Sequence, residues 1–329
     1  MHRGIGLYAS SLASALKDIK ALEIVDSDPD IVHYPYFDLF FPSLPLFHRQ
    51  PVVVTVHDLT PLVLSDLYTL GTRAKINLFR QRLALGRAAA ILTDSNNSHS
   101  DLVRIWGLPQ NKIFVTPLGV DTKFFIKLPV RKLNSVVKRL SLPKTFVLTI
   151  AGGPNPNKNL VRLAQATQLL NIPLVIVGRG LLEVLPEKNI HAELRDLAKL
   201  KEFTHLILPG FVSDEDLVAL YQLAGVYCQA SLYEGFGLPL LEAMAAGCLI
   251  ASASVASLPE IYPSDTLTFH PTSVDEIYQS LKTALKLNLS ARSRRIRHGK
   301  KRAAEFTWWR TAQLTFKAYQ FVYEARKHY

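Results

Sequence analysis

This sequence predicts an α/β protein with two doubly wound parallel sheets. Three observations carry that expectation. Short runs rich in Val, Ile and Leu recur along the chain with turn residues after them, longer stretches between them place apolar residues three and four apart, and a basic, Pro-containing stretch from Lys127 to Lys144 separates two such series. Strands alternating with helices form a parallel sheet covered on both faces. A chain of 329 residues also has room for two domains at about 100 to 200 residues each.

The expected strands, in order, are Pro51–Val56, Ile113–Val115, Phe146–Ile150, Leu174–Val177, Leu206–Leu208 and Leu249–Ile250. Apolar runs of this length suit strands buried on both faces. Leu12, Leu16 and Ile19 mark one amphipathic helix, and Leu217, Leu220 and Leu223 another. The first sheet is expected to end near Asp121 and the second to begin near Thr145, which makes 127–144 the linker between domains 1–130 and 141–305. A last helix, Phe306–Arg326, carries Trp308, Trp309, Phe316, Tyr319, Phe321 and Tyr323. That aromatic load exceeds one stripe, so the segment 306–329 is expected to return to the first domain and pack against both. A helix capping only the second domain is the alternative.

Composition excludes several classes. Hydrophobic residues make up 48% and charged residues 20%, which suits a globular chain and not a disordered one. Nineteen Pro and sixteen Gly follow no period, against a collagen-like or low-complexity chain. The balance of 38 Lys and Arg against 27 Asp and Glu gives a net charge of +11, favouring anionic partners such as phosphates, nucleic acid or an acidic membrane surface. Cys228 and Cys248 cannot build a disulfide framework, and as small core residues they fit a reducing cytosol. No apolar run approaches the roughly 18 to 20 residues of a membrane span, and the start at Met1 lacks a signal-peptide core, so a cytoplasmic chain is expected.

The most informative stretch runs from Ser231 to Gly247, Ser-Leu-Tyr-Glu-Gly-Phe-Gly-Leu-Pro-Leu-Leu-Glu-Ala-Met-Ala-Ala-Gly. Glu234 precedes a turn that Gly235, Gly237 and Pro239 can form, and Pro239 stands where a helix would begin. Backbone amides at such a helix start suit phosphate, and ionised carboxylates, which only accept, suit sugar hydroxyls. Glu242 is expected in the first turn of that helix. By spacing alone, a loop glutamate and a glutamate placed for the helix dipole fit equally well.

This stretch resembles the signature of glycosyltransferase family 4, whose two glutamates are likewise separated by seven residues. Further phrases fall in the family's order: Gly4-Ile5-Gly6, Val56-His57-Asp58-Leu59, Thr93-Asp94-Ser95, Pro117-Leu118-Gly119-Val120-Asp121, Pro209-Gly210-Phe211-Val212, Ser252, and Leu258-Pro259-Glu260. The resemblance implies the GT-B fold, two Rossmann-like domains facing a cleft. It also implies transfer of a sugar from a nucleotide donor with retention of configuration. Glu234 then contacts the donor sugar and Glu242 the ribose, with Gly235, Phe236, Gly237 and Leu238 in the donor-binding turn. Gly4 and Gly6 belong to a first glycine loop, and His57 lines the acceptor and donor-sugar pocket. Asp58 orients His57 or caps a turn.

Lys158, in Ala151-Gly-Gly-Pro-Asn-Pro-Asn-Lys158-Asn159, is implied to bind the donor diphosphate as a point charge. Many relatives carry an arginine in this loop, where this chain has Gly153 and Asn157. Losing one leaving-group contact would cost on the order of 3 kcal/mol, and Arg179 is the candidate substitute. The loop at Phe211 and Val212 resembles the one that holds the nucleotide base, although Phe211 fits an ordinary core position as well. Nothing in it separates uracil from guanine.

The family usually has a strand before its first glycine loop, and this chain begins at the loop. The first domain is therefore expected to be small, and three readings stand for the strand: a misplaced gene start, a compact variant of the domain, or a compromised activity.

The resulting expectation is a metal-independent hexosyltransferase using a GDP or UDP sugar, mannose ahead of glucose, with a glycan or lipid-linked acceptor and no cofactor. Asp26-Ser27-Asp28, the nearest approach to an Asp-x-Asp metal pattern, falls in a short connector. Basic clusters at Arg73–Arg87 and Arg292–Arg302 are solvated helix faces by default, and by resemblance they suit peripheral contact with an anionic membrane at its inner face. Three rivals compete with this expectation. They are an inactive nucleotide-binding relative, an NAD-dependent Rossmann enzyme that lacks the third glycine of its fingerprint, and a nucleic-acid binder that explains none of the phrases.

Overall fold

The computed structural model describes residues 4–68, 71–181 and 197–327, which divide into two compact units. One unit comprises Met1–Val63, Leu70–Gly119 and Phe306–Tyr329, and the other Leu64–Thr69 and Val120–Glu305.

The first unit holds a four-stranded parallel sheet in the order β1 (Val32–Tyr34), β2 (Val52–Thr55), β3 (Ala90–Thr93), β4 (Ile113–Val115). Every residue of β2 and β3 is buried, as covering a parallel sheet on both faces requires. On one face, Val54 and Ile91 pack with Phe37, Leu85, Leu102 and Trp106. Against this sheet lies the last helix, Trp308–Lys327, which contacts β3, β4 and the first helix, Ile5–Leu16. The C-terminal helix thus returns to the first unit, and a helix capping only the second is excluded. Tyr319 and Val322 are buried there, while Trp309, Phe321 and Tyr323 stay partly exposed.

The second unit holds a six-stranded parallel sheet in the order β10-β9-β8-β5-β6-β7. Its strands are β5 (Val147–Gly152), β6 (Leu174–Gly178), β7 (Leu206–Gly210), β8 (Val226–Gln229), β9 (Ile250–Ala253) and β10 (Leu267–Phe269). From β5 the chain winds outward through β6 and β7, then crosses back to place β8, β9 and β10 on the other side. The order therefore reverses between β5 and β8, the kind of point where open parallel sheets leave a crevice for ligands.

The structure departs from expectation in two places. Four strands, β1, β3, β8 and β10, had no place among the expected ones. The stretch 127–144 is not a simple linker: Val130–Arg139 forms a helix of the second unit that packs on the helix Asp214–Leu223. Val136 is its buried anchor, and Lys132 and Arg139 pair with Glu215 and Asp216 in the acidic first turn of that partner.

The change of unit instead falls at Gly119–Val120. A Cβ on Gly119 would lie 2.1 Å from the backbone nitrogen of Trp308, where the chain re-enters the first unit. Both crossings between units therefore run side by side, and only glycine permits their approach. We expect Gly119→Ala to destabilise the protein by about 3 kcal/mol or more, at the upper end of overpacking costs. A denaturation midpoint equal to the wild type's would refute this.

Candidate active site

In the second unit, the loops after β5 and β8 lie beside the reversal of strand order and are stitched together by buried amides. Asn159, in the left-handed conformation at φ 55°, donates from Nδ2 to the carbonyls of Ala230 (2.9 Å) and Pro271 (2.7 Å). Asparagine tolerates that backbone region better than most residues. Asn157 donates to the Tyr233 carbonyl at 3.0 Å, and its own carbonyl accepts from the Leu232 amide at 2.8 Å. The side chain between these asparagines is Lys158.

Lys158 Nζ donates to Glu234 Oε1 at 2.7 Å. The same oxygen accepts from Gln229 Nε2 at 2.7 Å and Ser231 Oγ at 2.6 Å, so one buried carboxylate oxygen collects three donors. Tyr227 supports the cluster by donating to Gln229 Oε1. Burial, then the charges of Glu234 and Glu242, hold the Tyr227 phenol well above its usual pKa, so it remains a donor.

Ser257 Oγ bridges the carbonyls of Glu234 (2.8 Å) and Phe236 (2.7 Å), which fixes the following turn. Gly237 there has φ 114°, and a Cβ on it would meet Leu258 at 2.7 Å. The helix Leu238–Ala245 begins at once, with Pro239 in its first turn. Glu242 falls just beyond the first turn and not within it, because the helix starts at Leu238, a residue before Pro239. It is buried, and its Oε2 accepts from Tyr221 at 3.1 Å. Gly235 and Leu238 flank the turn.

Farther along the same sheet edge, Gly153 follows β5 and Arg179 follows β6, its amide bonded to the Gly152 carbonyl at 3.0 Å. The Arg179 guanidinium stacks on the ring of Phe211 at 4.1 Å. Phe211 is 44% exposed, so it is no core residue, whereas the neighbouring Val212 is buried. Stacked cation and ring form a half-exposed platform.

The first unit holds a separate polar cluster at the ends of β2 and β3. His57 Nδ1 meets Asp94 Oδ2 at 2.7 Å, and Ser98 Oγ donates to the His57 carbonyl at 3.1 Å. Asp58 accepts the Thr60 amide at 2.8 Å, so it caps a turn and Asp94 is the partner of His57. Tyr8 packs edge-on against the imidazole, with ring centres 4.8 Å apart, and bonds Thr55 at 2.8 Å. His33 bridges Thr55 (2.8 Å) and Tyr319 of the last helix (2.6 Å). Burial, with the nearby His57, pulls the His33 pKa down to about 4, so it is neutral at neutral pH. Gly4, at φ 70°, caps the helix Ile5–Leu16, and Gly6 lies inside that helix and not in a loop.

The structure thus brings together Lys158 and Glu234, and separately Arg179 and Phe211. It adds Gln229, Ser231, Asn157, Asn159 and Ser257 in the second unit, and Asp94, Tyr8, His33 and Tyr319 in the first. Cys228 and Cys248 are buried in the core, and burial pushes both thiols up, Cys248 to about 12. Among the described residues, no three His, Cys, Asp or Glu side chains are grouped to hold a metal ion.

A family model of group 1 glycosyl transferases matches residues 134–302, and one of glycosyltransferase family 4 matches residues 2–124. The chain belongs to glycosyltransferase family 4. Within this family, O-antigen chain mannosyltransferase B of Escherichia coli is 30% identical over 291 residues, covering 85% of this chain and 73% of that one. The serotype-specific mannosyltransferase WbdA of Escherichia coli is 30% identical over 324 residues, 94% of this chain but 38% of WbdA. The chain therefore spans about two fifths of that relative's length. Among solved structures, HepE of Anabaena in complex with UDP and glucose matches at a TM-score of 0.69 and 17% identity, over 96% of this chain and 81% of that one. The fold of this family 4 member is accordingly GT-B, with two Rossmann-like α/β domains.

If Asn159 holds the two loops in place, Asn159→Ala leaves two buried carbonyls without a donor. The expected loss is about 2–4 kcal/mol, measured by chemical denaturation. A loss below about 0.5 kcal/mol, the scale of an ordinary surface substitution, would show that the loops are held by other contacts.

Proposed function

We propose that this chain is a retaining hexosyltransferase that moves mannose, or failing that glucose, from a nucleoside-diphosphate sugar to a glycan or lipid-linked acceptor. The observation that carries the proposal is the Lys158–Glu234 pair at the reversal of strand order. It joins a cation suited to diphosphate with a carboxylate suited to sugar hydroxyls. Mannose stands ahead of glucose because the relatives named above are mannosyltransferases.

In this reading the second unit holds the donor. Lys158 and the amides at the start of Leu238–Ala245 neutralise the departing diphosphate, so no divalent metal is required. Glu234 positions the transferred sugar and Glu242 the ribose. Phe211 and Arg179 offer a face for the base, GDP and UDP being the two carriers considered. The sugar–phosphate bond breaks through an oxocarbenium-like state, and the departing phosphate oxygen takes the acceptor's proton on the same face. His57 serves the acceptor side.

A weakened, nucleotide-binding relative is the second reading. It is favoured by the engagement of Arg179 with Phe211 and by the structural use of Asn157 where relatives carry an arginine.

Peripheral membrane contact is supported by the helix Thr72–Gly86. Its Ile76, Phe79 and Leu83 are exposed among Arg73, Lys75, Arg80 and Arg82, with no acid in the helix. No helix among the described residues is long and apolar enough to cross a membrane.

Thermal unfolding with GDP, UDP, ADP and NAD tests the donor site. One of GDP or UDP should raise the midpoint, as a ligand of the native state does, and Lys158→Ala and Glu242→Ala should abolish the rise. Stabilisation by NAD alone, or by no nucleotide, would overturn the proposal. In a second experiment, vesicles containing anionic lipid should co-sediment the protein, and Phe79→Ser with Arg80→Glu should release it. Equal sedimentation of this variant would remove the helix from the membrane reading.

A further inference from the structure

From the geometry we infer that Asp94 is the positioning residue for His57, fixing its ring by one nitrogen so that the other is left for a substrate oxygen. This inference rests on the acceptor-side role proposed for His57. None of the family phrases assigns Asp94 a role.

An ionised carboxylate can only accept, so the 2.7 Å contact with Asp94 Oδ2 requires the proton to sit on His57 Nδ1. Orientation and tautomer are thereby set together. His57 Nε2 is then the ring's remaining polar atom, and it is buried with no hydrogen-bond partner among the described residues. Buried polar atoms without partners are uncommon in native proteins and call for a functional account. A substrate oxygen would supply the missing partner.

The charged groups around the ring decide its protonation. Burial lowers the imidazole pKa. The charge and hydrogen bond of Asp94 act against it, with further support from Asp58 and from the Pro35 carbonyl, and the net shift is upward. From strand β1, His33 faces the pair but stays neutral. Tyr8, on the helix Ile5–Leu16, is held well above its usual pKa by burial and by Asp94, so it brings no charge. Burial raises Asp94 itself, and His57 draws it back in part. His57 is therefore an imidazolium over a wider pH range than a free histidine. Above its pKa it loses the Nε2 proton and keeps the one shared with Asp94.

Asn in place of Asp removes the charge while keeping an oxygen that can accept from Nδ1. Nitrogen-15 NMR of the imidazole groups, without substrate, should show His57 Nδ1 protonated at every pH and Nε2 as the nitrogen that titrates. In Asp94→Asn the His57 midpoint should fall by about 1 to 3 units, the range expected for loss of an adjacent opposite charge. With transfer from a GDP or UDP sugar in hand, the alkaline limb of kcat should move down by the same amount. An unshifted His57 midpoint in a folded Asp94→Asn protein overturns the inference, as does Nδ1 as the titrating nitrogen in the wild type. The wild-type measurement decides even where the variant fails to fold. Failure of nucleotide to bind, with the NMR result intact, would count against the transferase reading alone.

Discussion

The candidate donor site depends on a single constraint: two loops far apart in sequence must meet beside the strand reversal without exposing or abandoning their backbone groups. Asn159 meets it by donating to carbonyls 71 and 112 residues away. Asn157 adds a bond across 76 residues. An amide side chain can donate two hydrogens while adopting the left-handed backbone that turns the chain into the helix Leu160–Leu169. The loop is thus held by side chains that face inward, and the lysine between them reaches across to Glu234. Removing those amides would let Lys158 and Glu234 drift even if both were retained.

Much of the fold was legible because it is local. Val52–Thr55, Leu174–Gly178 and the other long aliphatic runs declare themselves, and the glycines and proline of 235–239 mark a turn that the structure forms. Strand β3 was hidden by composition. Ala88, Ala89 and Ala90 precede Ile91 and Leu92, and alanine fits a helix end as readily as a buried strand. Without β3 as a strand, nothing in the sequence places Asp94 at the binding end of a sheet, and Asp58 stays open between orienting His57 and capping a turn until the structure shows the cap. Gln229, Ser231 and Asn159 escaped for another reason, since their value comes from approaches the sequence does not display.

The helix Val130–Arg139 illustrates the same limit. Its Lys132, Lys138 and Arg139 have the look of a solvated connector, and nothing nearby contradicts that. The acids that complement it, Glu215 and Asp216, also serve the dipole at the start of their own helix. Exposed pairs of this kind add little stability. Val136, fully buried, does more to dock the helix, and a single apolar anchor is too weak a periodic signal to announce one.

The three donors on Glu234 bear on how one lysine could both hold the unliganded site and serve a diphosphate. A buried carboxylate that depended on Lys158 alone would be left uncompensated if the lysine turned away, at a cost of several kcal/mol. Here Gln229 and Ser231, both neutral donors, would remain on the same oxygen. On the proposed function, the cation would then exchange one anion for another while Glu234 keeps two donors from the protein. Tyr227 and Gln229, buried behind the site, hold that carboxylate oxygen in place through a chain of hydrogen bonds that does not include the lysine.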